Sequence, residues 1–309
     1  MEIFFQQIFN GLVLGSVYAL IALGYTMVYG ILGLINFAHG EVLMIGAMVG
    51  LSVVLFVQGA APDIPKVFLL LAALLAAIPT CMALSVFIER VAYRPLRNAP
   101  RLAPLITAIG VSILLQTIAM IIWKPNPRVF PDLLPTTPIE LGGVFIAPKQ
   151  LLILVVAAAM MTGLVLLVNR TKLGRAMRAT AENPRIAGLM GVNANRVIAA
   201  TFMIGASLAA VAGVLVGMNY NKADFMMGFL PGLKAFTAAV LGGIGNLQGA
   251  MVGGLLLGII ESLGAGYIGD LTGGFLGSHY QDIFAFAVLI LVLVFRPSGI
   301  MGERVADRA

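Results

Sequence analysis

KAFTAAVLGGIGNLQGAMVGGLLLGIIE, Lys234 to Glu261, carries no charge between its two end residues. As one helix its interior would reach about 39 Å, more than the roughly 30 Å of a bilayer's hydrocarbon core. GGIGNLQGA (Gly242 to Ala250) interrupts it, because four glycines with Asn and Gln mark a turn. The stretch therefore reads as a short piece, 229–242, followed by a full helix, 250–268. The short piece reaches only about 21 Å. It is either a tilted short span or a re-entrant segment, which is tolerated where it is buried in protein or lines a cavity.

Whether this break exists decides which side every later loop faces. Other long apolar runs lie at 8–32, 41–58, 67–89, 102–123, 150–168, 197–218 and 278–296. With 250–268 they make eight long helices, so the expected class is all-α, a polytopic helical membrane protein forming one membrane domain over 1–309. Composition agrees: of 309 residues only 10% are charged, against about 25% in globular domains. Mean hydropathy is +1.03. The first residues lack a basic n-region and an A-x-A-like site, so no cleaved signal is expected.

With the break in place, the cations segregate. Arg90, Arg94, Arg97 and Arg101 share one side with Arg170, Lys172, Arg175, Arg178, Arg185 and Arg196, and with Arg296, Arg304 and Arg308. Lys66, Lys124, Arg128, Lys149, Lys222 and Lys234 fall on the other. The arginine-rich side is the expected cytoplasmic one, which puts the C-terminus inside and the N-terminus outside. These cations sit in loops rather than on one face, so the net charge of +6 does not point to nucleic acid.

The loop 169–196 contains TAENPRIAGLMGVN, Thr180 to Asn193. Asn183 is a good N-cap, Pro184 suits the first helical position, and Gly191 stands where a left-handed residue ends a helix. Ile186, Leu189 and Met190 share one face. Two turns cannot persist alone in water, so the stripe is expected to press into a groove of a soluble partner. The competing reading is a surface loop whose arginines only set topology. It leaves the cap, proline, stripe and glycine unexplained.

GLINFAHGE (Gly33 to Glu41) places Asn36, His39 and Glu41 where polar groups need partners. They read as a gate or pathway-lining element, or as an interfacial turn with Glu41 at a favourable helix start. A proton relay through His39 is a third reading. Glu261 lies deep in its helix and either faces a pathway or pairs with another helix. Asp282 reads as interfacial, and Cys81 as packing. Neither G-x-x-x-x-G-K-[ST] nor H-E-x-x-H occurs, and His39 and His279 are far apart. Catalysis is not expected, and any use of ATP must come through a partner.

GYTMVYGILGLINFAHGE, GRAMRATAENPRIAGLMGVNANR and AAVLGGIGNLQGAMVGG together resemble bacterial branched-chain amino acid ABC importer permeases of the LivH type. The likeness runs over nearly the whole chain, in order. It implies a permease subunit in the bacterial inner membrane, paired with a second related permease. Two cytoplasmic subunits would use ATP and Mg, and a periplasmic protein would deliver leucine, isoleucine or valine. This chain itself would bind no cofactor or metal. The family's ATPase-coupling segment maps onto Glu182, Asn183, Pro184, Arg185, Ile186, Ala187, Leu189, Met190 and Gly191. Permeases for urea and short amides are closely similar, and an ATPase-independent secondary transporter is the rival class.

Overall fold

The computed structural model describes residues 2–97, 99–100, 102–273 and 281–302. Arg101, His279, Arg304 and Arg308, and the first three residues of the expected 278–296 helix, lie outside the described residues.

The chain forms α1 (Glu2–Leu32), α2 (His39–Ala60), α3 (Lys66–Ile88), α4 (Leu102–Trp123), α5 (Pro148–Arg170), α6 (Lys172–Glu182), α7 (Pro184–Leu189), α8 (Ala194–Tyr220), α9 (Phe229–Gly242), α10 (Leu247–Leu271) and α11 (Gln281–Phe295). α3 runs on through a π turn, Glu89–Tyr93, and a 3-10 turn, Arg94–Leu96. Among the described residues, seven helical segments are long and apolar enough to cross a membrane. α9 is short, as its sequence requires, and α11 is described from Gln281 onward.

The expected break is present. Gly243 and Gly245 take φ +108° and +98°, a region that costs glycine little. Asn246 then caps α10, accepting from Gly249 N at 3.0 Å. The chain after α11 folds back over this turn, with Ile300 N and Met301 N bonded to Leu241 O and Gly242 O.

α1, α2 and α8 form the centre, where α1 is buried almost continuously from Val13 to Val28. α3, α4 and α5 are peripheral and expose Phe68, Leu75, Ile106, Ile121 and Val155. α1 runs antiparallel to α10 along a seam of small residues, Gly11 and Gly15 facing Gly254 and Gly258. A Cβ at Gly15 would sit 2.8 Å from Gly254 O and Leu255 Cα, both backbone atoms that cannot step aside. Gly15→Val is therefore expected to cost about 1–3 kcal/mol or more. In detergent this should lower the thermal unfolding midpoint. Gly110→Val, on α4 where nothing lies within 4 Å, should leave the midpoint unchanged.

Two helices begin inside the bundle rather than at its end. After Leu32 the chain turns back, and His39 lies beside Gly24 and Gly205. Gly24 is eight residues before the end of α1, about 12 Å along it. From there α2 runs parallel to α8, Gly46 against Ala210 and Gly50 against Val214. α9 starts at the same depth. A Cβ at Gly40 would meet Gly228 O at 2.6 Å, and one at Gly232 would meet Gly40 Cα at 2.9 Å. Only glycines let these two helix starts touch.

Among the described residues the cations segregate as their loops predicted, with one exception. At one end Arg97 bonds Asn195 at 2.6 Å, and Arg178, Gly245 and Arg296 border a common cavity. At the other, β1 (Arg128–Val129) pairs with β4 (Lys222–Ala223), and Lys149 bonds Asn219 O and Asn221. β2 (Ile139–Leu141) and β3 (Val144–Ile146) close a hairpin over Gly142 and Gly143, both with positive φ. The exception is Lys234, expected in a loop and found buried in α9. It sits there because carboxylates on two other helices reach it.

Candidate functional site

The segment 169–196 holds two helices rather than one. α6, which sequence reading passed over, is capped by Thr171, whose Oγ1 accepts from Gly174 N at 3.1 Å. Gly174, Met177 and Thr180 bury one face of it, at the i, i+3 and i+6 spacing already present in the sequence. Its other face is charged. α6 thus anchors the segment to the bundle, against α1, α5 and α8.

α7 follows as its sequence predicts. Asn183 Oδ1 accepts from Arg185 N at 3.0 Å and Ile186 N at 3.1 Å, with Pro184 in the first turn. At the far end Gly191 takes φ +83°. Val192 N bonds Ala187 O at 3.0 Å and Gly191 N bonds Gly188 O at 3.1 Å, a Schellman closure. Asn193 then caps α8 through Arg196 N. Ala187, 3% exposed, is the contact with the bundle. Ile186, Leu189 and Met190 are 58%, 88% and 80% exposed. Glu182 and Arg185 flank them, also exposed. A six-residue helix and its C-cap residue, fixed at both ends, thus present three large apolar side chains to the outside.

Asn36, His39 and Glu41 are each 3% exposed or less and are held by different partners. Asn36 Oδ1 accepts from Ala38 N at 3.1 Å and from the Tyr93 hydroxyl at 2.7 Å. His39 packs edge-on against Tyr25, ring centroids 5.0 Å apart. Glu41 Oε1 accepts from Ser112 at 3.1 Å and Gln116 at 2.7 Å, which ties α2 to α4. None of the three borders the cavities at the arginine-rich end. Cys81 is buried, its thiol 3.3 Å from Val42 O.

Glu261 belongs to a separate cluster. Lys234 Nζ lies 2.5 Å from Glu261 Oε1 and 2.6 Å from Asp282 Oδ1. The Tyr18 hydroxyl donates to the other Glu261 oxygen at 3.0 Å, and the ammonium stands 5.8 Å from that ring's centre. α1, α9, α10 and α11 meet at this one cation. Its origin is simple: α9 and α10 fold back on each other about Gly243–Asn246, Gly242 against Gly249 and Ala238 against Gly253, which brings Lys234 within reach of Glu261. Glu261 pairs with another helix, α9, through Lys234. Asp282, expected to be merely interfacial, completes the cluster. Sequence reading missed Lys234 and Tyr18 here.

Among the described residues, no group of three His, Cys, Asp or Glu side chains is arranged to hold a metal ion. The buried polar groups described above fasten helices to one another.

Residues 7–293 match the family described as branched-chain amino acid transport system / permease component. The chain belongs to this family. It is 51% identical over 305 residues to the high-affinity branched-chain amino acid transport system permease protein BraD of Pseudomonas aeruginosa, covering 97% of this chain and 96% of the relative. Identity to LivH of Escherichia coli, of the same description, is 47% over 307 residues, with the same coverage. A probable branched-chain amino acid transport permease protein LivH of Methanocaldococcus jannaschii is 27% identical, over 95% of this chain and 91% of the relative. As a permease of this family the chain is a transport component and not an enzyme. Such permeases work with ATPase and substrate-binding partners.

Proposed function

We propose that this chain is one membrane subunit of an ATP-driven importer carrying leucine, isoleucine and valine from the periplasm to the cytoplasm. The observation that carries the reading is α7, a short capped helix that with its C-cap residue leaves Ile186, Leu189 and Met190 exposed among the described residues. Such a stripe fits a groove in a soluble ATPase, the helix-in-groove mode. The substrate class is supported by the 47–51% identical relatives. The partner set is a second related permease, two ATP-binding subunits that use ATP and Mg, and a periplasmic amino-acid-binding protein.

The arginine-rich end, with α7, is the cytoplasmic one by the positive-inside rule. α1 then enters from the periplasmic side, and the chain after α11 lies inside. ATPase closure would drive α7 as a rigid unit with α6 and tilt the bundle between its two open states.

Reconstitution tests the whole reading. Liposomes containing both permeases and the ATPases, supplied with the binding protein, should take up leucine and valine only with ATP. Uptake of urea or short amides instead would overturn the substrate class. ATP-independent uptake would overturn the coupling. A cysteine introduced at position 185 and labelled only from the periplasmic side would overturn the orientation.

A further inference from the structure

At the arginine-rich end, a cavity of about 120 Å³ opens between α1, α5, α6 and the α9–α10 turn. Its walls include Met27, Ile31, Met177 and Leu247, all apolar. Thr26, 1% exposed, lines it with a buried hydroxyl that has no hydrogen-bond partner among the described residues. Arg178 stands at the rim, and no carboxylate lies within ion-pair distance of it among the described residues. One guanidinium nitrogen donates to Val168 O, which leaves further donors free. The cavity adjoins a wider vestibule that shares Gly30, Val168, Arg178, Gly245 and Leu247 with it, so a solute reaches it from that end.

The chemistry is that of a small amphiphile. An apolar cavity of about 150 Å³ accommodates benzene, and the four-carbon side chain of leucine is smaller. A buried hydroxyl without a partner is a costly thing to fold around, and it offers an acceptor for an ammonium. The remaining guanidinium donors at the rim suit a carboxylate. Apolar walls, one hydroxyl and one cation together fit a free branched aliphatic amino acid.

We propose that this cavity binds such an amino acid from the cytoplasm and thereby restrains the ATPase-docking helix. The site rests on the proposed function for its sidedness and for the solute that accumulates there. The restraint follows from connectivity. Met177, Arg178 and Ala181 of α6 form one wall, and α6 passes directly through Asn183 into α7. A ligand seated between α6 and α1 fixes α6, and with it α7, so the product of import slows the engine that drives it.

Two measurements on the reconstituted full complex test this. Tritiated leucine should bind the complex without the periplasmic protein, and millimolar leucine on the ATPase side should slow ATP hydrolysis. Thr26→Val, which keeps the shape and removes the hydroxyl, should raise the inhibitory concentration roughly tenfold, as should Arg178→Met, with hydrolysis in the absence of leucine unchanged. Leucine binding that neither variant weakens would place the site elsewhere and overturn the proposal. So would ATP hydrolysis indifferent to leucine in a complex that still imports it, and that result leaves the proposed function standing. Failure of import itself, with binding and inhibition intact, would overturn the proposed function but not the site.

Discussion

Lys234→Met is expected to destabilise the protein by about 3–5 kcal/mol, the cost of leaving a buried carboxylate without its cation. The side chains of Lys234 and Glu261 are 8% and 1% exposed, so water cannot take over when the ammonium is gone. Methionine has similar length, so the loss is electrostatic rather than one of volume. Combining it with Glu261→Gln and Asp282→Asn should recover most of the lost stability, because a neutral cluster has no ion to desolvate. Thermal unfolding midpoints of the purified protein in detergent decide the matter. A single variant as stable as the parent would show that the cluster is not what seats α9.

Leu189→Asp is expected to abolish ATP-driven uptake while leaving the fold intact. Leu189 is 88% exposed, so a carboxylate there disturbs nothing within the chain. In a partner's groove, loss of a central apolar anchor costs about 2–4 kcal/mol, roughly 30- to 1000-fold in affinity. Arg185→Glu should weaken the same contact less, as a rim charge does. Co-purification with the ATPase subunits reads the first effect, and an unshifted unfolding midpoint confirms the second. Undiminished association of the Leu189→Asp protein would remove α7 from the coupling path.

The features legible in the sequence are those written in consecutive residues. α4 spans 102–123 as its apolar run indicated, and α7 carries the cap, proline and terminal glycine that TAENPRIAGLMGVN spells out. GGIGNLQGA broke the helix where it should. α1 starts at Glu2, earlier than the run from residue 8, because Gln6 and Gln7 find partners in Phe145 and Ser262. α6 was overlooked because its apolar face is sparse, Met177 and Thr180 among charges. Lys234 was misplaced for a different reason. Counting loop charges treats every cation as a flank, and nothing near Lys234 in sequence announces that Asp282 will meet it. The depth of α2 was equally hidden, since it depends on Gly40 touching Gly228 and Gly232. Distant glycines set it, and no local pattern records them.

The short length of α9 also bears on how the chain is made. When α9 leaves the ribosome it is too short to cross a membrane unaided and carries an ammonium with no counter-ion. Glu261 is synthesised later, and Asp282 later still. Until α10 is made, that ammonium has neither of the carboxylates it meets in the folded bundle. α10 and α11 therefore do more than close the bundle, because they bring the carboxylates beside which a cation translated before them is buried.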